Sequence, residues 1–171
     1  MNNDFNPPFD ARTKEGLEWL IDKSHIVVRE ERGWFRKLWH HHEKPEEGND
    51  TKEENHVESF PAIADAESEI LILGTMPGET SLTTGEYYAQ KGNIFWEVIS
   101  TLYNEGKDFT DYTEKIACLK VQHIALWDVL ACCQRKGSSD NAIGNEQLND
   151  IESFLKEHPK IRKIVFNGKK R

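Results

Sequence analysis

The chain has 171 residues, 37% of them hydrophobic and 30% charged, and a net charge of −8 at neutral pH. That length suits one domain with enough chain to bury a core, and no stretch approaches the roughly 20 apolar residues that a membrane-spanning helix needs. The acidic balance argues against broad, nonspecific attraction to nucleic acid. It leaves room for an enzyme that touches a few phosphates through a local patch and backbone N–H groups.

The N-terminus, "MNNDFNPPFDARTKEG", has no basic segment followed by an apolar one, so a secretory leader is not expected. Cys118, Cys132 and Cys133 are odd in number, and none forms a C-x-x-C pair. They support neither a disulfide framework nor a four-cysteine cluster, which places the chain in a reducing cytoplasm. Residues 1–42 read as an N-terminal extension. "TKEGLEWLIDK" carries Leu17, Leu20 and Ile21 at helical spacing with Thr13 as N-cap, and "HIVVREERGWFRKLWHHH" suggests a hairpin turning at Glu31–Gly33. Three consecutive histidines, His40 to His42, cannot easily converge on one ion, and no metal is expected there. Residues 43–58, "EKPEEGNDTKEENHVE", are nearly devoid of apolar side chains and read as a solvated linker.

From residue 59 to 171 the pattern is regular. "EILILGT" is a continuous apolar run ending in glycine, as expected of a parallel strand buried on both faces. "NIFWEVISTLY" sets Phe95, Trp96, Ile99 and Leu102 on one helical face. "VQHIALWDVL" is a second buried strand. "NEQLNDIESFLKEHP" reads as a capped helix with Leu148, Ile151, Phe154 and Leu155 inward, and "IRKIVFNG" is a third strand. Alternating apolar strands and helices predict an α/β domain with a mostly parallel sheet. Ligands bind such sheets beyond the carboxyl ends of the strands. Those ends are Gly74–Gly78, Trp127–Asp128 and Asn167–Gly168, so three loops converge on one rim. The last strand needs an edge partner, which the N-terminal segment would have to supply.

The turn after the first strand is neither a dinucleotide fingerprint nor a phosphate-binding loop of the G-x-x-x-x-G-K type. It offers backbone N–H groups near Gly78 to Thr80 that suit a carbonyl or a developing anion, although tight turns of this kind are common. Tyr87 and Tyr88 lie in a loop, where a large ring either packs into the core or stacks on something flat. Asn93, at the start of the next helix, serves as a cap or presents its amide at the rim.

Three ordered blocks carry a likeness. "LGTMPGETSLTTGEYYAQKGNIFW", "IALWDVLACCQRKGSSDNAI" and "IRKIVFNGKK" together resemble the uracil-DNA glycosylase superfamily, in particular its hypoxanthine-DNA (deoxyinosine) glycosylases. The resemblance covers residues from about Phe60 to Lys170 and implies a three-layer α/β/α sandwich. It also implies a monomeric enzyme that acts on DNA containing a damaged base, flips that base out and hydrolyses its N-glycosidic bond without a cofactor. Chemistry of this kind needs a ring partner for the extruded base, hydrogen bonds to its edge and donors for the charge it carries away.

Residue by residue, the resemblance puts Gly74, Met76, Pro77 and Gly78 in the loop under the base, and makes Tyr88 the stacking ring. Asn93 becomes catalytic. Trp127 and Asp128 fall in the second rim loop, with Asp128 holding water or the base edge, or serving as a plain capping carboxylate. Asn167 reads the base edge. Arg135, Lys136 and Ser138 stand where phosphate contacts would be useful, and an exposed turn explains them equally well. Met76 stands where the uracil- and mismatch-directed branches carry an Asn or Asp, and Lys91–Gly92 replaces the usual His-Pro. The family's closing Leu-Pro-Ser-type wedge is not found after the last strand. That leaves a truncated, non-catalytic relative as the alternative expectation.

Overall fold

The structure is a computed structural model that describes residues 55–167 and the strand at 26–29. In chain order the described elements are β1 (Ile26–Arg29), β2 (His56–Glu58), β3 (Ile70–Gly74), α1 (Glu79–Thr84), α2 (Phe95–Tyr103), α3 (Tyr112–Val121), β4 (Ile124–Asp128), β5 (Leu130–Gln134), β6 (Gly144–Leu148), α4 (Ile151–Glu157) and β7 (Lys163–Asn167). A 3-10 turn at Asp140–Ala142 lies between β5 and β6.

The main sheet runs β1-β7-β3-β4. Strand β3 pairs in parallel with both β4 and β7, and β1 closes the far edge antiparallel to β7, with Val27 opposite Phe166. Side chains alternate between the two faces. Ile72, Ile124, Leu126 and Val165 pack on one face with Phe95, Trp96 and Ile99 of α2 and Leu119 of α3. Leu71, Leu73, Ala125 and Ile164 pack on the other with Ile151 and Phe154 of α4. Helices therefore cover both sides of the sheet, in the three-layer α/β/α arrangement.

The chain leaves β3 for β4 over one face and leaves β4 for β7 over the other. Neighbours of β3 are thus reached in opposite directions, and a crevice opens at the carboxyl ends where they diverge. Beyond Asp128 the chain continues through Val129 into β5, the middle strand of a small antiparallel sheet of order β2-β5-β6. Met76, Leu130 and Cys133 form a third apolar cluster beneath it. Asn149 joins the two sheets: its Nδ2 donates to the carbonyl oxygens of Asp128 at 2.9 Å and Leu130 at 3.0 Å.

Several local expectations shift. Residues 145–148, expected to open the last helix, belong instead to β6 on β5, so Leu148 lies in a strand and the third cluster. The helix starts at Ile151 because Asp150 caps it, accepting from the Ser153 N–H at 2.9 Å. Helix α3 was not anticipated; Leu119 is its one fully buried side chain, which leaves little apolar periodicity to read. His56–Glu58, at the end of the stretch read as linker, forms β2 on β5. The β-branched run Ile26–Arg29 is a strand as expected, but its described partner is β7 rather than a second hairpin arm. The helix expected at Thr13, the turn at Glu31–Gly33, His40 to His42 and Gly168 lie outside the described residues.

Candidate active site

Strand register sets the frame of the site. Gly74 lies opposite Asp128, and Leu73 lies opposite Phe166, so Asn167 reaches the same level on the other side of Gly74. By alternation from Ile72, Leu126 and Val165, these three positions share the face that carries Tyr87 and Phe95. They border a cleft of about 500 Å³. The turn Thr75–Glu79, both tyrosines, Gln90, Asn93, Ser138 and Asp140 complete its wall.

Trp127 faces away. One residue out of phase with Asp128, it packs on Phe154 at 4.9 Å in the opposite core and donates from Nε1 to the Phe60 carbonyl. It has no place in a base pocket at this rim. Arg135 also departs from expectation. Rather than standing on an exposed turn, it is 4% exposed and donates to the carbonyl of Pro77, while its Nε and its other terminal nitrogen are buried without partners among the described residues. A side chain so placed braces the Pro77 turn and cannot reach a phosphate outside. Lys136, next in sequence, is exposed and does not border the cleft. Ser138 does border it, and its Oγ accepts from the Glu79 N–H at 2.8 Å. One of the donors expected from that turn is therefore already used. Met76 is 7% exposed and contributes to the third cluster.

The tyrosine loop is braced at several points. The Tyr87 N–H donates to Tyr112 Oη at 3.0 Å, and Trp96 Nε1 donates to the Tyr87 carbonyl at 2.7 Å. Thr80 Oγ1 donates to Gln90 Oε1 at 2.6 Å. Tyr88 sits at φ +56°, a left-handed conformation unfavourable for a bulky residue. Its ring lies against Phe95 at 4.1 Å between centroids, which repays that strain with contact area. Asn93 Oδ1 accepts from the Phe95 N–H at 2.9 Å. Asn93 is therefore not the N-cap, a position held by Ile94, but its carbonyl oxygen takes the first helical N–H, and the amide NH2 remains as the group a ligand can use.

Among the described residues, Tyr87 Oη, Tyr88 Oη and Asp128 Oδ2 are buried and find no hydrogen-bond partner. Asp128 is only 2% exposed. Burial drives its carboxyl up from the ordinary 3.8 to about 7. The Tyr87 hydroxyl, close by but short of bonded geometry, and the Arg135 guanidinium pull it down, and Asp140 pushes it up. Burial likewise drives the Tyr87 and Tyr88 hydroxyls well above the usual phenol range, with the nearby Asp128 adding to the rise in each. Asn167 works against that rise at Tyr88. Both tyrosines are neutral at any working pH. Gly74 makes room for this group: a Cβ there would stand 2.5 Å from Asp128 Oδ1 and 2.9 Å from Tyr88 Oη.

Of the residues singled out in the sequence, Gly74, Met76, Pro77, Gly78, Tyr88, Asn93, Asp128, Ser138 and Asn167 meet at the cleft. Asp140 and Gln90 were not foreseen; both lie in polar loops where no periodic pattern marks them. Nor was Asn149, whose buried amide fixes the Asp128 backbone without entering the cleft.

Residues 60–170 match the family model described as Uracil DNA glycosylase superfamily. The chain is 40% identical over 111 residues to the protein named hypoxanthine DNA glycosylase in Methanosarcina acetivorans, covering 65% of this chain and 70% of that one. It is 34% identical over 113 residues to a protein of the same name in Methanosarcina barkeri, covering 66% and 72%. A solution NMR structure from Methanosarcina acetivorans, of a protein provisionally described as a uracil DNA glycosylase, superposes with a TM-score of 0.55 at 37% identity. That superposition covers 62% of this chain and 66% of the other.

Proposed function

We propose, from the premise that this chain belongs to the uracil DNA glycosylase superfamily, that it excises a deaminated base, hypoxanthine foremost, from DNA by hydrolysing the N-glycosidic bond. The observation that carries this reading is the meeting of Asn93, Asp128, Asn167 and Tyr88 at one cleft beyond the carboxyl ends of β3, β4 and β7. A base extruded from the duplex needs such a cavity, since its target bond is out of reach inside the stack.

Each group has a part that its chemistry suits. An amide offers one acceptor and two donors, so Asn167 complements the carbonyl and adjacent ring N–H that hypoxanthine presents on its Watson–Crick edge. That pairing is shared by uracil. The preference for the larger base rests on the cleft and on Met76, whose thioether cannot orient water as the Asn or Asp of uracil-directed relatives would. Asn93 takes that task, its carbonyl oxygen fixed by the Phe95 N–H and its NH2 available to water or to the departing base. Tyr88, held by Phe95, supplies the rigid wall against which the base lies. Outside the cleft, Lys136 is the proposed contact to the DNA backbone, a reading supported by its exposure.

A duplex oligonucleotide carrying one inosine tests the reading, incubated with the protein and then cleaved with alkali at abasic sites. Asn93→Ala should lower single-turnover excision by about 10²–10³-fold, the cost of losing one preorganised donor. If the wild-type chain gives no product above that variant, the proposal fails; tight binding to the same duplex without cleavage would mark a non-catalytic relative.

A further inference from the structure

Asp128 is the most exacting group in the site to explain as architecture. Its side chain is all but inaccessible and, among the described residues, it caps no helix and leaves Oδ2 without a partner at a cleft wall. Buried polar atoms are nearly always satisfied, and those that are not call for a reason. Its backbone is pinned independently by Asn149, so the carboxyl is not needed to hold β4 in place. Glycine at position 74 admits Oδ1 to a spot that any side chain would block.

We propose that Asp128 enters the reaction as a carboxylic acid and gives its proton to a heteroatom of the departing base. This rests on the glycosylase reading above and assigns the acid in it. The C1′–N bond breaks with its electron pair going to the base, and the Asp128 proton makes that base leave as a neutral molecule. The oxygen of water bonds to C1′ and sheds one proton to solvent, from which the Asp128 carboxylate is reprotonated for the next turnover. Departing purines carry several basic heteroatoms, so a proton donor at the cleft wall lowers the barrier where a fixed neutral donor would only solvate the charge.

The surroundings suit an acid rather than a carboxylate. From the loop between α1 and α2 come the neutral hydroxyls of Tyr87 and Tyr88; from just beyond β5 comes Arg135, and from the 3-10 turn Asp140. Among the described residues Arg135 is the one cation acting on the carboxyl, and it makes its hydrogen bond to the Pro77 carbonyl rather than to Asp128. Burial, with Asp140 adding to it, raises the carboxyl to about 7 against the pull of Tyr87 and Arg135, so a large fraction carries the proton at neutral pH. A group poised near the operating pH transfers protons most effectively.

The test is the single-turnover excision rate of the inosine duplex between pH 5.5 and 8, for wild type and Asp128→Asn. The wild-type rate should be level at the acid end and fall toward about tenfold per pH unit above the Asp128 midpoint, while the variant should be at least about 10²-fold slower and flat. A variant that keeps the wild-type profile, or a wild-type rate that climbs through pH 7, overturns the proposal. Should the variant fail to fold, wild type labelled with ¹³C at its aspartate carboxyls decides instead. One resonance must titrate near neutrality in the free protein, and its absence refutes the acid. Complete lack of excision at every pH would instead sink the glycosylase reading and this inference with it; excision without the predicted profile sinks only the inference.

Discussion

The acid at position 128 also makes a claim on stability that needs no substrate. In the unfolded chain its carboxyl ionises around 3.8, and in the folded protein around 7. Between those values the folded state binds more protons than the unfolded one, so stability falls as pH rises through the window. The separation is about three pH units, each worth about 1.36 kcal/mol, so the group withdraws on the order of 4 kcal/mol between pH 4 and pH 8. Against a typical domain stability of about 5–15 kcal/mol that is a large share.

Asp128→Asn removes the titration while nearly preserving shape. Urea unfolding of both proteins at half-unit steps from pH 4.5 to 8 should show wild type losing stability relative to the variant as pH rises. The difference should change by about 3–4 kcal/mol over the range and should be steepest between pH 5 and 7. Comparing the two proteins cancels the other carboxylates, whose titration both share. Parallel curves would refute the reasoning, because they would mean that Asp128 ionises at its ordinary value and is less buried than its surroundings indicate.

Two further expectations test the frame around that acid. Gly74→Ala would place a Cβ 2.5 Å from Asp128 Oδ1 and 2.9 Å from Tyr88 Oη. Neither a short carboxyl nor a ring held on Phe95 yields easily, so thermal unfolding should show a loss of about 1–3 kcal/mol, with excision lost alongside. Asn149→Ala removes the donor shared by the Asp128 and Leu130 carbonyls. A loss of about 1–3 kcal/mol in urea unfolding is expected for the two bonds together, with a slower excision rate and an unchanged pH midpoint.

The strands and the rim they form were legible because burial on both faces writes a continuous apolar run, and each run ends where the cleft begins. "EILILGT", "IALWD" and "KIVFN" marked the three parallel strands and the positions of Gly74, Asp128 and Asn167 at their ends, but not their order in the sheet. Trp127 was legible too, had parity been applied. Leu126 and Asp128 share one face of β4, so the residue between them must face the other. The small sheet was harder to read. Its strand β6 has the sequence GNEQL, exposed along most of its length, and carries no alternation to separate it from a helix start. Helix α3 hid for the same reason, having little buried surface to leave a stripe. Arg135 misled because charge type was read as exposure, and only the third dimension shows the Pro77 carbonyl it serves.

What the sequence could not display is that the site's two costly features support one another. Tyr88 holds a left-handed backbone that costs about 1–2 kcal/mol for a residue of its size, and Asp128 holds a proton it would lose in water. The first sets a phenol hydroxyl against the Gly74 gap, and the second fills that gap from the other side, so each excludes water from its neighbour. Neither contact stabilises the fold by itself: among the described residues the Tyr88 hydroxyl and the carboxyl's other oxygen, Oδ2, are both left unpaired. Folding tolerates them because Phe95, Trp96 and Tyr112 tie the loop down independently. Loosening that aromatic support would let water reach the carboxyl and return it toward its ordinary ionisation. The aromatic packing of α2 and the protonation of Asp128 are therefore one property of the fold: the packing keeps water out, and a dry carboxyl keeps its proton.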